Sequence, residues 1–571
     1  MTLFSQKPAA FFLLAFVVAS VFIFQSTNAA TIGGVTNFNV DSDYDVNERS
    51  QVSAELVKSS SRLNFYVEKA WWDLQVAAKK TEILDNLEKV SFEFGNKIYP
   101  TLTSVFGQEW NPGVDGDEKI TVLLHVMKEG IGGYFRTADS YIKLQIPQSN
   151  EREMVYLPVA NIDNITMKSF LAHEFTHLIT FNQKDRLQGV SEEIWLNEMR
   201  AEYALTVLGY NNPYEGSNLQ KRMKDFLTRS SDSVTEWLGS RYDYASIGAF
   251  GQYVMDHYGI NIFSDSIKSK SVGIASINEV LQKNGYQKSF SEIFADWTVA
   301  AAINDCSIDF AYCYLNVNLK GLKVSPELIF LPVSSNSSLS VTNVTKNWTG
   351  NWQKIIGGKG DLHLKFSSIQ GLDFKVPYII FDRNDNIQIK FLELNDAQEG
   401  EIIIKDFGGQ YVSLLLMPSL QSKTEGFAGQ EFTYPYTFTI SISGQVDGDE
   451  FLVQKLLAQI ESLKKQIAAI KSQAVLGQST SNGWCVAIAS NLYLGITGGE
   501  VSCLQQFLKS QGPEIYPEGK VTGFFGGLTK AAVIRFQERY APEILTPIGL
   551  SKGTGYVGTL TKNKINQLMK P

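Results

Sequence analysis

Four successive patterns of apolar and polar residues run along the chain. From about residue 50 to 320, strand-like and helix-like stretches alternate. "SRLNFYVEKAWW" (61–72) reads as extended, and "TEILDNLEKVSFEFGNKIYPTL" (81–102) carries its apolar residues at helical spacing. "VDGDEKITVLLHVM" (114–127) predicts a turn and then a buried strand, with "GIGGYF" (130–135) following. From about 325 to 445 the period shortens to two, in "DLHLKF", "NIQIKFLEL", "EIIIKDF", "YVSLLLM" and "YTFTISISG". Short strands separated by turn residues predict a β-sandwich, with "SSNSSLSVTN" as a loop or an early edge strand. Next, Val453, Leu456, Ile460, Leu463, Ile467 and Ile470 alternate three and four apart. That spacing is roughly three heptads, read either as a stiff helical spacer or as an oligomerising coiled coil over 452–472. "GQSTSNG" is a flexible link to the last 90 or so residues, which are helical in pattern. The resulting expectation is multidomain: 31–322 mixed helix and strand, 323–446 all-β, 447–483 linker, 484–571 a small helical module.

Composition narrows the function classes. A 571-residue chain exceeds what one core sustains. With 51 basic against 59 acidic residues the net charge is −8, which argues against a broad nucleic-acid or anionic-membrane surface. Lys7 followed by "AAFFLLAFVVASVFIF" and then "QSTNAA" predicts an export signal over 1–30, with cleavage near Ala29 or Ala30. The alternative is a retained anchor, the one route to a membrane association. Export places the chain where disulfides form, and the four cysteines fall into two local pairs, Cys306 with Cys313 and Cys485 with Cys503.

The chemistry is concentrated in "AHEFTH" (172–177). His173 and His177 are four apart, so on a helix both imidazoles point to one side, with Glu174 beside them. Two histidines are too few for a catalytic zinc, which takes three protein ligands and leaves one position open. Downstream, "SEEIWLNEMRAEYAL" (191–205) predicts a second helix on which Glu198 and Glu202 are also four apart. Glu198 is assigned as the third ligand, and Glu202 as the carboxylate that orients a ligand histidine through its other ring nitrogen. A solvated face with idle histidines is disfavoured, because Phe170, Leu171, Phe175, Leu178 and Ile179 bury most of the first helix. In the expected chemistry zinc activates a water, Glu174 acts as general base, and a nearby donor stabilises the oxyanion. Tyr242, Tyr244 and His257 lie in "SRYDYASIGAFGQYVMDHYG", and Tyr244 is selected as that donor. Asp115 and Asp117 form an acidic turn that is read as either a calcium site or a plain hairpin turn.

"HEFTHLITFNQK" followed by "WLNEMRAEY", with "EWNPGVDGDEKITVLL" and "GGYF" upstream, resembles the gluzincin metallopeptidases, most closely the hyicolysin-like secreted peptidases. The resemblance covers roughly residues 50–300 and implies an α+β zincin-type fold. It makes His173, His177 and Glu198 the ligands of one Zn2+ and Glu174 the catalytic base. Gluzincins often carry glycine directly after the ligand glutamate, whereas Met199 stands here. The last module, in "TGGEVSCLQQFLKSQG", "GKVTGFFGGLTKAAVIRFQERY" and "GYVGTLTKNKINQL", resembles a three-helix peptidoglycan-binding domain. Together these imply a secreted, envelope-associated zinc metalloendopeptidase acting on protein or peptide substrates. The alternatives are a zinc-dependent hydrolase of peptidoglycan crosslinks and a non-catalytic wall-binding protein. "GIGGYF" is expected to present backbone groups to an extended peptide.

Overall fold

A computed structural model of the chain describes residues 31–443, apart from 163–165 and 333–336, and residues 487–569, apart from 489, 495–497 and 549. The predicted export signal, the heptad segment 452–472 and Cys485 lie outside the described residues. The chain divides into two compact units, one holding the described residues up to 443 and the other those from 487.

The first unit begins with a six-stranded sheet built from β1 (Val35–Asn39), β2 (Gln51–Ser59), β3 (Leu63–Glu68), β4 (Ile120–His125), β5 (Tyr134–Phe135) and β6 (Met154–Pro158), in the order β1-β2-β3-β4-β6-β5. The pairs β3–β4 and β4–β6 are parallel, and short β5 runs antiparallel along β6 as the edge. The sequence anticipates β4 well: all six residues are buried because both faces of the sheet are covered. One face carries the helical core, the other a smaller cluster around Phe38, Tyr66, Tyr134 and Tyr156. The extended reading of 61–72 holds only to Glu68, where the chain turns into α1 (Lys69–Asp73), and "GIGGYF" contributes only Tyr134 and Phe135 as strand.

Helices α2 (Ala77–Glu93) and α3 (Tyr99–Phe106) pack on the helical face and brace the next helix, α4 (Met167–Thr180). Phe175 of α4 meets Phe94 edge-on at 5.0 Å and stacks on Tyr99 at 5.5 Å. A buried phenylalanine so placed is worth about 3–5 kcal/mol. Helices α5 (Ile194–Val207), α6 (Asn218–Thr228) and α7 (Arg241–Tyr258) follow, with α5 packed on both α4 and α7. Helices α8 (Asn261–Ser266), α9 (Gly273–Lys283) and α10 (Phe290–Ile303) complete the helical part, and a Cys306–Cys313 disulfide closes the loop beyond it.

The β-rich region packs onto these helices with a shared core. It contains a mostly antiparallel sheet of nine strands, in which strand Gly360–Ser368 lies between strands Glu399–Phe407 and Tyr434–Ser443. Leu362, Leu364 and Phe366 point inward with Phe438, Ile440 and Ile442, the alternation read from the sequence. Ser337–Thr345, which holds the described part of the serine-rich stretch, is a strand at the sheet's end. Trp348 and Trp352 join the helical core, and the Trp352 indole donates to the Thr298 carbonyl at 2.8 Å.

The second unit has helices Gly499–Ser510, Gly527–Arg539 and Thr559–Met569, with a fourth, four-residue helix Ala541–Ile544 where three were expected. Val501, Leu504, Leu508, Val533, Phe536 and Ile565 form its core. Two glycine loops, "TGFFGGLT" (522–529) and "TGYVGTLT" (554–561), are held by one device used twice, 32 positions apart. The buried Gln505 amide accepts from the Thr522 and Gly523 N–H groups and donates to the Phe524 carbonyl and the Thr529 hydroxyl. Gln537 accepts from the Gly555 N–H and donates to the Tyr556 carbonyl and the Thr561 hydroxyl. Each amide uses both its oxygen and its nitrogen, as a buried amide requires.

Candidate metal centre

Helix α4 places His173, Glu174 and His177 on the side facing α5, because its opposite face is occupied by Leu171, Phe175, Leu178 and Ile179 in the core. Helix α5 presents Glu198 to them. The two imidazole Nε2 atoms converge on this one carboxylate, at 3.1 Å from His173 and 3.5 Å from His177. One donor atom from each of the three residues lies within 4.8 Å of the others. Ligands about 2.0–2.2 Å from a shared tetrahedral zinc would be spaced roughly 3.3–3.6 Å apart, close to the two histidine–glutamate separations, so the donor set fits such an ion in size and type. Among the described residues it is the only group of three or more histidine, cysteine or acidic side chains so placed.

The surrounding groups fix this cluster. Glu202, one turn beyond Glu198, sits 3.5 Å from His173 Nδ1. It is held in turn by α6, where Arg222 donates to both carboxylate oxygens at 2.9 Å and Asn218 donates at 2.8 Å. Burial opposes the charge on Glu202, but Arg222 outweighs it and keeps the carboxyl below its usual range. At Glu198 burial is likewise overcome, by the two histidines, and the group stays ionised. His177 is pushed up to about 9: burial works against the imidazolium, and the Glu198 carboxylate prevails. Glu174 goes the other way, raised chiefly by burial although both histidines pull it down. A carboxylate of raised pKa is the better proton acceptor near neutral pH.

Tyr244 comes from the first turn of α7, whose start is set by a Ser240–Asp243 capping box. Its ring lies 6.4 Å from that of His173, packs on Trp237 and has the Arg222 guanidinium over its face at 4.4 Å. Burial first, and then the carboxylates of Glu198, Glu202 and Glu174, hold the phenol protonated. The other two donor candidates are elsewhere. Tyr242 packs with Arg241 and Arg229, and His257 faces the Cys313 carbonyl at 2.9 Å. Among the described residues the acidic turn belongs to no cluster of three metal-ligating side chains, and its carboxylates are used within the turn: Asp115 Oδ1 accepts from the Asp117 N–H and Asp117 Oδ1 from the Lys119 N–H.

The edge strand passes beside the cluster. A Cβ on Gly133 would lie 2.9 Å from the Tyr156 carbonyl oxygen and 3.0 Å from Glu174 Oε1, so only glycine admits this approach. Met199, which departs from the glycine often found after the ligand glutamate in gluzincins, packs against Gly251 of α7, where a Cβ would meet its Cγ at 3.0 Å. Gly251 thus leaves the room that the Met199 side chain occupies. Sequence reasoning missed Arg222 and Asn218, which carry no local signal. It also missed Asn197, which acts on His177 to raise its pKa. Asn197 Oδ1 and His177 Nδ1 are both buried without a hydrogen bond of ordinary geometry. A polar residue directly before Glu198 was the available hint.

The first unit thus combines mixed helices and sheets with a His–His–Glu cluster and a buried carboxylate alongside. Comparison with known proteins agrees with that class. The chain is 24% identical over 282 residues to the neutral metalloprotease ShpI of Staphylococcus hyicus, an alignment that covers 44% of this chain and 59% of the relative. The chain therefore spans less than two thirds of that relative's length. Residues 497–565 match the family described as putative peptidoglycan binding domain. Solved structures that overlap include the Yersinia pseudotuberculosis-derived mitogen and the pre-peptidase C-terminal domain of a collagenase from Bacillus anthracis. They are 13% and 8% identical, each over 20% of this chain and 93% and 94% of theirs, with TM-scores of 0.15 and 0.14. At such scores they carry no weight for fold or function.

Proposed function

We propose that the chain is an exported, envelope-associated zinc metalloendopeptidase whose ligands are His173, His177 and Glu198 and whose general base is Glu174. The observation that carries this reading is the convergence of both Nε2 atoms on Glu198 with Glu174 buried next to them. Zinc in that cluster would supply Lewis acidity, bringing the pKa of a water molecule to about 7. Glu174 takes the proton of the attacking water and returns it to the leaving amine. Tyr244, kept protonated, donates to the oxygen on which charge develops. Glu202 orients His173, and Arg222 keeps Glu202 ionised for that task. Strand β5, at the edge of its sheet, lines up an extended peptide beside Glu174.

The similarity of 497–565 to peptidoglycan-binding domains supports attachment to the cell wall. The same similarity favours a second reading, in which the cluster cuts peptidoglycan crosslinks and the last unit anchors the substrate. The decisive comparison is wild type against Glu174→Gln, scored for zinc content, casein cleavage and release of wall peptides. The expected outcome is zinc retained and casein cleavage reduced by about a hundredfold to ten-thousandfold. Wild type that binds no zinc, or a variant that cleaves as fast, would falsify the peptidase reading. Release of wall peptides without casein cleavage favours the second.

A further inference from the structure

A dense polar network in the first unit takes no part in the chemistry proposed above. It ties residues 41–49, between β1 and β2, to the ends of β3 and β4. Asp45 is fully buried and accepts from Arg49 Nη2 at 2.7 Å and from the Asn47 N–H at 2.9 Å. Arg49 also reaches Glu68 at 2.6 Å, and Glu68 accepts from the Val126 N–H at 2.9 Å. Buried His125 stands 3.4 Å from Asp45 through Nδ1 and 3.2 Å from the Tyr134 hydroxyl through Nε2. Burying that many charges is costly unless each is partnered, so the position of this segment is strongly determined.

What the network positions is Tyr44. Its carbonyl accepts from the Lys128 N–H at 2.9 Å, and its ring stacks on Tyr134 at 4.6 Å with 20° between the planes. Tyr134 follows Gly133, the residue whose backbone approaches Glu174. Tyr44 is half-buried, and its hydroxyl has no hydrogen-bond partner among the described residues. Burial and Asp41 raise its pKa, and so do Glu198 and Glu174, the carboxylates of the metal cluster. The phenol is therefore a protonated donor within electrostatic reach of the site, on the β5 side, whereas Tyr244 comes from α7.

We propose that Tyr44 is a substrate-contacting residue, donating a hydrogen bond from its phenol to a backbone carbonyl of the peptide laid along β5. The inference rests on the peptidase reading. Because Tyr244 already serves the developing oxyanion, Tyr44 acts on bound substrate as much as on the transition state. It belongs to affinity rather than to turnover.

The test is Tyr44→Phe in the full-length protein, with fluorescein-labelled casein as the probe. One hydrogen bond to a neutral carbonyl corresponds to roughly a fivefold to tenfold change. The expected result is a KM raised by that factor, kcat within twofold and zinc content unchanged. In the Glu174→Gln background, Tyr44→Phe weakens direct casein binding by the same factor. Unchanged casein affinity, or a loss confined to kcat, overturns the proposal. Cleavage that survives Glu174→Gln sinks the general-base reading instead, and casein binding still reports on Tyr44.

Discussion

The candidate metal cluster and the glycine loops of the C-terminal unit set the same task, holding short segments at fixed spacing, and meet it with opposite chemistry. Around His173 the frame is charged: a histidine rests on Glu202, Glu202 on Arg222, and burial opposes each charge that lacks a partner. Around Gln505 and Gln537 the frame is neutral, with five hydrogen bonds at one amide and three at the other. A charged frame tunes the proton affinity of what it holds, which the proposed chemistry requires. It also collapses when one member is removed, because the remaining charge is left buried. An amide frame tunes nothing and ignores pH. It suits a module whose task is to present a fixed surface.

The strongest way to break the charged frame is Glu202→Ala. It frees His173 Nδ1 and leaves the largely buried Arg222 guanidinium without its carboxylate. Loss of such an orienting carboxylate lowers metal affinity or activity by about tenfold to a hundredfold. Zinc titration against a competing chelator reads this directly. Equal zinc affinity in the variant would mean that His173 is oriented by the fold alone. The corresponding break in the neutral frame is Gln505→Ala, which orphans the Thr522 and Gly523 N–H groups. Gln505 is buried while Thr522 is exposed, so the loss is that of the amide's net hydrogen bonds, and the C-terminal unit loses about 1–3 kcal/mol. Calorimetry of the full chain should show that unit's transition moving down while the first unit's stays in place. Sedimentation with insoluble peptidoglycan should weaken in parallel if the loops form the wall-binding surface.

How far each frame could be read from the sequence follows the same division. His173 with His177, and Glu198 with Glu202, are visible because four-residue spacing on a helix is a local rule. The strands of the β-rich region are visible because alternation is local too. Arg222 is twenty residues from its partner Glu202, and Tyr44 is some ninety from Tyr134; no periodicity links such positions. The packing of Met199 against Gly251 is hidden for the same reason, since neither residue signals the other along the chain. In the C-terminal unit both glycine loops stand out as repeats, but the glutamines that hold them do not. An amide inside an amphipathic helix looks like a surface residue until the chain returns to it.

The smallest expected effect sharpens the contrast through pH. Glu153 is buried at the start of β6 and accepts from the Val114 N–H at 3.2 Å through both oxygens. Burial dominates there, with Asp115 adding repulsion, and the carboxyl is pushed up to about 8. The sign follows from proton counting. Between the unfolded value near 4.5 and about 8, the folded state keeps a proton that the unfolded state has released. Stability therefore falls as pH rises through that window and is highest below it. Relaxation of the adjacent turn toward the charged form would hold the loss to about 1–2 kcal/mol. Glu153→Gln removes the titrating group while keeping an oxygen for Val114. Its melting temperature should match wild type at pH 5 and exceed it by a few degrees at pH 8. The C-terminal unit, held by amides, should show no such change in either protein. If its transition moved with pH as the first unit's does, the division into charged and neutral frames would not describe how this chain is stabilised.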